Sequence, residues 1–78
     1  MNVQIIVDVM CNTLEKKGCG ELVSYLKECE SIGSTGGEIF DLLLDRLMNI
    51  KLNKPSVFKY IENEAEQIFN YAREQGHL

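Results

Sequence analysis

Apolar residues recur at intervals of three and four in four stretches of the chain, the spacing that places side chains on one face of an α-helix. The connections between these stretches are only a few residues long, as antiparallel packing requires. The pattern therefore predicts an all-α protein that folds as a single domain, a compact four-helix bundle. We predict helices at about 2–17, 20–32, 36–52 and 56–75.

The first predicted helix ends at Gly18, since glycine accepts the left-handed conformation that often follows a helix. Its segment "VQIIV" is rich in β-branched residues and also suits a short strand, so residues 3–7 keep that alternative. The helical stripe consists of Val3, Ile6, Val7, Met10 and Leu14.

The second and fourth helices each show one apolar face and a glycine stop signal, Gly33 and Gly76. Pro55 favours a new helical start, and Ser56 is the predicted cap of the fourth helix. The face of the second helix consists of Leu22, Tyr25, Leu26 and Cys29, and that of the fourth of Phe58, Ile61, Ala65, Ile68 and Ala72.

The third helix is apolar over more than one face, which is typical of a central helix or of one that also contacts another protein. Its main stripe is Ile39, Leu43, Leu47 and Ile50, and Phe40, Leu42, Leu44 and Met48 widen it.

The net charge and the length of the chain limit the classes of function that the protein can have. The 78 residues carry a net charge of −4, which argues against direct nucleic-acid binding and favours a basic protein partner. No apolar run approaches the roughly 20 residues that span a bilayer, and the first ten residues do not resemble a signal peptide. Three cysteines without a close pair are typical of reduced thiols, so we expect a cytoplasmic protein.

The segment "GSTGGE", residues 33–38, joins the second and third helices. It lacks the lysine of a phosphate-binding loop and carries Glu38 instead, so we expect no phosphate site. Thr35 and Glu38 have the spacing of a capping box, in which each side chain binds the other residue's backbone N–H. Gly36 and Gly37 weaken a helix start, which indicates close approach by a neighbouring helix or by a bound partner.

Acidic residues follow the glycines at helical spacing. Glu38, Asp41 and Asp45 share one face of the third helix, and Glu62 and Glu66 share a face of the fourth. Such faces are either simply solvated or form a docking surface for a basic protein. The candidate partner-binding residues are Ser34, Thr35, Gly36, Gly37, Glu38, Asp41, Asp45, Glu62 and Glu66.

Catalytic chemistry has little support in the sequence. His77 is the only histidine and lies beside a chain end that we expect to be frayed. We therefore expect no enzymatic activity, no cofactor and no metal site.

The stretch "STGGEIFDLLLDRL" resembles small helical immunity proteins of bacterial toxin–immunity pairs of the contact-dependent growth inhibition type. The resemblance implies a cytoplasmic inhibitor that binds one cognate toxin domain, commonly a basic nuclease, and blocks its active site or substrate path. The residues carried over are Ser34, Thr35, Gly36, Glu38 and Ile39, the last with a structural role.

Two alternatives remain open. The size, acidity and helical content also resemble acyl-carrier proteins, in which case Ser34 would carry phosphopantetheine, although it lies in a Gly-Ser-Thr context. A small homodimeric helical adaptor that pairs through the apolar third helix is the other.

Overall fold

The protein is all-α, as predicted. The computed structural model describes residues 2–78, and the helices within this range vary from one turn to eighteen residues in length. In chain order they are α1 Val3–Lys16, α2 Gly20–Lys27, α3 Cys29–Ile32, α4 Gly36–Asn53, α5 Pro55–Phe58 and α6 Glu62–Glu74.

Residues 3–7 belong to α1, so the strand alternative is wrong. Asn2 caps this helix through its side-chain oxygen, which accepts from the backbone N–H of Ile5 at 3.3 Å. The predicted stops after α1 and α6 are confirmed, because Gly18 and Gly76 have φ of 76° and 78°.

The predicted helix at 20–32 is interrupted at Glu28, which separates α2 from α3. The cause is tertiary. The guanidinium of Arg46 on α4 donates to the backbone carbonyl of Tyr25, which in an unbroken helix would accept from Cys29. Arg46 also binds the Glu28 carboxylate at 3.0 Å and lies over the ring of Tyr25, 4.5 Å from its centroid.

The predicted helix at 56–75 is also two helices, α5 and α6, separated by a turn at residues 59–61. Here the backbone N–H groups of Tyr60 and Ile61 donate to carbonyls three residues back, at 3.0 Å each, which tightens the chain. The predicted cap at Ser56 is wrong, because Lys54 is the N-cap and Pro55 is the first helical residue. The predicted apolar face is nevertheless buried throughout: Phe58, Ile61, Ala65, Ile68 and Ala72.

Every helix from α1 to α6 contributes buried side chains to the core. Helix α4 packs against α2, α3, α5 and α6, whereas α1 packs against α2 and α6. Helices α4 and α6 are antiparallel, since Asp41 contacts His77 and Lys51 contacts Glu66. The fully buried large side chains are Met10, Leu14, Leu26, Cys29, Leu47, Ile50, Ile61, Ile68 and Phe69.

Helix α4 has a buried and an exposed side. The buried side carries Leu43, Leu44, Leu47 and Ile50, with Ile39, Phe40 and Leu42 half-buried at its edges. Met48 and Leu52 point away from the core and are 40% and 76% exposed. The helix is therefore central to the fold, and it also presents apolar side chains to solvent. No helix within residues 2–78 combines the length and the apolar character needed to cross a membrane.

Substitution of two leucines tests the assignment of a buried and an exposed side to α4. We expect Leu47→Ala to lower the free energy of unfolding by about 2–5 kcal/mol, because Leu47 is fully buried and its removal leaves a cavity. Leu52→Ala makes the same chemical change at an exposed site and should alter stability by less than about 0.5 kcal/mol. Urea unfolding followed by circular dichroism measures both, and equal losses would contradict the assignment of the two sides.

Candidate functional site

The segment between α3 and α4 is held by a hydrogen-bonded cap. The Thr35 hydroxyl oxygen accepts from the backbone N–H of Glu38 at 3.2 Å, as the capping box predicts. The return bond differs from the prediction, because the Glu38 carboxylate accepts from the N–H and hydroxyl of Ser34, at 3.0 and 2.6 Å. The Ser34 hydroxyl, which the carrier-protein alternative would use for attachment, is therefore engaged in the cap.

These bonds change the acidity of Glu38. The hydroxyl of Ser34, and then its backbone N–H, stabilise the ionised carboxylate and lower the pKa of Glu38 below its ordinary value. The carboxylate therefore stays negative at the start of α4, where the helix dipole also favours a negative charge.

Gly33 directly follows the last residue of α3, as the predicted stop requires, but the close approach expected at Gly36 and Gly37 is found at Gly33 instead. A side chain at Gly33 would meet the side chain of Ile39 at 2.6 Å and its backbone nitrogen at 2.9 Å, so Gly33 is the site of close approach. Among the described residues, an added Cβ at Gly36 meets nothing within 4 Å, and at Gly37 it meets only Thr35, at 3.9 Å. The expectation of a neighbouring helix close to Gly36 and Gly37 is therefore wrong, and the space beside both is open.

The three acidic residues of α4 lie on its exposed side, as their spacing predicts. Glu38 and Asp41 line a shallow depression together with Asp45, beside the exposed Ile32 and half-buried Leu42. Asp41 contacts the ring nitrogen Nδ1 of His77 at 2.8 Å. Asp45 takes part in none of the ion pairs that the structure shows among residues 2–78. The patch thus retains negative charge that the fold itself does not use.

His77 packs against the fold, although the sequence predicts a frayed chain end beside it. Besides its contact with Asp41, its ring packs edge-on against Phe40, with centroids 4.9 Å apart, and Phe40 packs in the same manner on Tyr71 at 5.9 Å. The aromatic contacts fix the end of the chain against the first turns of α4. Leu78 follows and remains 57% exposed.

The exposed side of α4 continues beyond its carboxylates. Intervals of three and four residues connect Asp45 to Met48 and Met48 to Leu52, so all lie along one line of the helix. The sequence predicts Met48 as part of the wide apolar surface of this helix, but the link of Met48 and Leu52 to the acidic face was missed, although the same spacing joins them. We call the exposed residues along it the outer stripe: Glu38, Asp41, Asp45, Met48 and Leu52.

Glu62 and Glu66 lie elsewhere. Glu66 contacts Lys51 at 3.7 Å, and Lys51 is ten residues, about 15 Å, beyond Asp41 along α4. Glu62 lies one turn before Glu66, at the first residue of α6. The nine predicted partner-binding residues therefore do not form one surface: seven gather at residues 34–45, and two lie near the other end of α4.

The buried groups offer little chemistry. Burial raises the pKa of the Cys11 and Cys29 thiols above the ordinary value, so both are poor nucleophiles near neutral pH. All three cysteines are free thiols. Among residues 2–78 there is no group of three His, Cys, Asp or Glu side chains placed to hold a metal ion, and no buried polar side chain.

Comparison of the chain with protein-family models, with curated proteins and with solved structures gave no match.

Gly33 and Gly36 provide a matched pair of alanine substitutions. We expect Gly33→Ala to destabilise the fold by about 1–3 kcal/mol, because the new methyl group overlaps Ile39. Gly36→Ala should be neutral or stabilising by up to about 1 kcal/mol, since its methyl group meets nothing and the unfolded chain loses freedom. Chemical unfolding of both variants is the measurement, and an unchanged stability for Gly33→Ala would show that the contact with Ile39 is not tight.

The cap should also make stability depend on pH. A lowered pKa in the folded state contributes stability above the ordinary pKa of glutamate, and this contribution is lost as pH falls through the folded-state pKa. We expect Glu38→Gln to be less stable than the wild type at pH 7, with the difference narrowing toward pH 3. Asp45→Asn is the control variant, because it removes a carboxylate from the same side of α4 that makes none of these hydrogen bonds. Unfolding curves at several pH values test this, and a constant difference for Glu38→Gln would contradict it.

Proposed function

We propose that this protein is an immunity protein that binds and neutralises a toxin domain of a cognate bacterial toxin, and that the outer stripe of α4 is its contact surface. The observation that carries the proposal is the composition of this stripe. It presents three carboxylates and then two exposed apolar side chains along one helix whose other side is buried in the core.

The acidic half favours a basic partner. Glu38, Asp41 and Asp45 lie within two turns of one another and are all exposed, so their charges act together on an approaching molecule. A nuclease domain carries positive charge where it holds phosphates, and carboxylates placed there would compete with the substrate. A nuclease is therefore the kind of toxin that this half fits best.

The apolar half of the outer stripe, Met48 and Leu52, can slow the dissociation of a bound partner. Exposed charges mainly raise the association rate, whereas burial of apolar surface slows dissociation. Leu52 and Met48 are accessible for such burial, and Leu78 lies beside Met48 at the edge of a neighbouring depression. The two halves thus provide complementary contributions to binding.

Inhibition of this kind requires no chemistry from the inhibitor itself. A folded surface that covers the active site or substrate path of the toxin is sufficient. The protein would act in the cytoplasm of the producing cell, where the toxin would otherwise reach its substrate.

The test uses the product of the toxin gene adjacent to the gene for this chain. We expect the wild type to capture that product in a pull-down and to protect cells that express it. Asp45→Lys should slow association by roughly tenfold at low salt, and Leu52→Ala should speed dissociation by a similar factor. Surface plasmon resonance separates the two rates.

Glu15→Lys is the matched control for Asp45→Lys, because it makes the same charge change at an exposed position on α1. It should leave both rates within about twofold of the wild type. Failure of the wild type to bind or protect would exclude the immunity role. Equal effects of the two lysine variants would exclude the outer stripe as the contact surface.

Self-association is a second use of the same surface, and the exposure of Leu52 and Met48 favours it. Light scattering over a range of concentrations distinguishes a monomer from a dimer. A dimer that Leu52→Ala dissociates would place the apolar half between two copies, and it would leave the acidic half available to a partner.

A further inference from the structure

One end of the bundle contains an apolar cavity of about 210 Å³ that is open to solvent on one side. It lies between the first turns of α1, the junction of α2 and α3, and the first turns of α4. Its apolar walls include Val3, Val7, Leu26, Ile39, Phe40 and Leu43.

The cavity follows from how the helices pack. Helix α1 packs on α2 and α6, whereas α4 packs on α2, α3, α5 and α6, and α1 and α4 are not among the closely packed pairs within residues 2–78. The first turns of α1 and α4 therefore face each other across a gap. Val7 and Leu43 lie on opposite sides of it and are only 7% and 5% exposed, so the inner part of the gap is shielded from water while its outer side is open.

Its size suits a small guest molecule. An apolar cavity of about 150 Å³ stays dry and binds benzene or xenon, because its lining atoms otherwise lack contact partners. The present cavity is larger and, unlike that enclosed one, is open on one side, so water can enter it, but its apolar walls offer that water few polar partners. An apolar molecule would gain van der Waals contacts there that water does not provide.

The charges at the rim indicate a neutral guest. Lys27 and Glu30 border the cavity with opposite charges, and the Gln4 side-chain amide already donates to Asp8 at 3.1 Å. We infer that this cavity is a binding site for a small neutral apolar ligand, a short alkyl chain or a single aromatic ring. The site is separate from the outer stripe and does not rest on the proposed inhibition of a toxin.

Gly36 lies at the open side of the cavity, which we call its mouth. It borders the cavity, and an added Cβ there would meet no atom of residues 2–78 within 4 Å. No packing among residues 2–78 therefore requires a glycine at this first helical position, where other residues stabilise a helix better. Absence of a side chain at Gly36 keeps the cavity open, whereas Gly37, its neighbour in the same turn, does not border it.

The experiment is a methyl NMR titration with benzene, 1-hexanol, hexanoate and hexylamine. For the wild type we expect saturable shifts with benzene and hexanol at the methyl groups of Val3, Val7 and Ile39, and none at Val57 near the other end of α4. Gly36→Leu should weaken benzene binding at least tenfold because its side chain occupies or covers the mouth. Gly37→Leu adds the same side chain to the same turn and should bind benzene within twofold of the wild type.

The wild-type shift pattern decides the matter even if Gly36→Leu fails to fold. Absence of saturable shifts up to the solubility limit of benzene, or shifts that include Val57 equally, would overturn the site. Equal weakening by the two leucine variants would overturn the role of Gly36. Tighter binding of hexanoate or hexylamine than of hexanol would overturn the neutral class of ligand.

Discussion

Burial of one side of α4 is the interaction on which the rest of the structure depends. Leu47 and Ile50 lie at the centre of the core, and α2, α3, α5 and α6 all pack around the helix that carries them. In a chain of 78 residues the buried surface barely offsets the conformational entropy lost on folding. The orientation of α4 is therefore fixed by the core, and the residues on its outer side follow that orientation.

The apolar stripes of the helices were predictable, because the residues that one helix face buries recur with the period of the α-helix itself. The faces that contain Leu14, Leu47 and Ile68 all became core. The two interruptions were not predicted, because the apolar spacing continues across both. The guanidinium of Arg46 donates to a backbone carbonyl of α2 that lies 21 residues earlier in the sequence. The turn at residues 59–61 contains no glycine or proline that would have predicted it.

The candidate site was predicted in part. The cap at Thr35 and the common face of Asp41 and Asp45 depend on local spacing, which a sequence displays directly. Whether Glu66 belongs to the same surface depends on how α6 crosses α4, and no spacing contains that information. The close packing of Gly33 against Ile39 was also not predictable, because the two residues meet only in the folded connection between α3 and α4.

That contact has a consequence for binding. The connection between α3 and α4 is short, and both of its ends are held: Gly33 fits against Ile39, and Ser34 and Thr35 are bonded to Glu38. A loop that is already ordered loses little conformational freedom when a second molecule covers it. Association at this end of α4 would therefore carry a small entropic penalty, and more of the contact energy would appear as affinity.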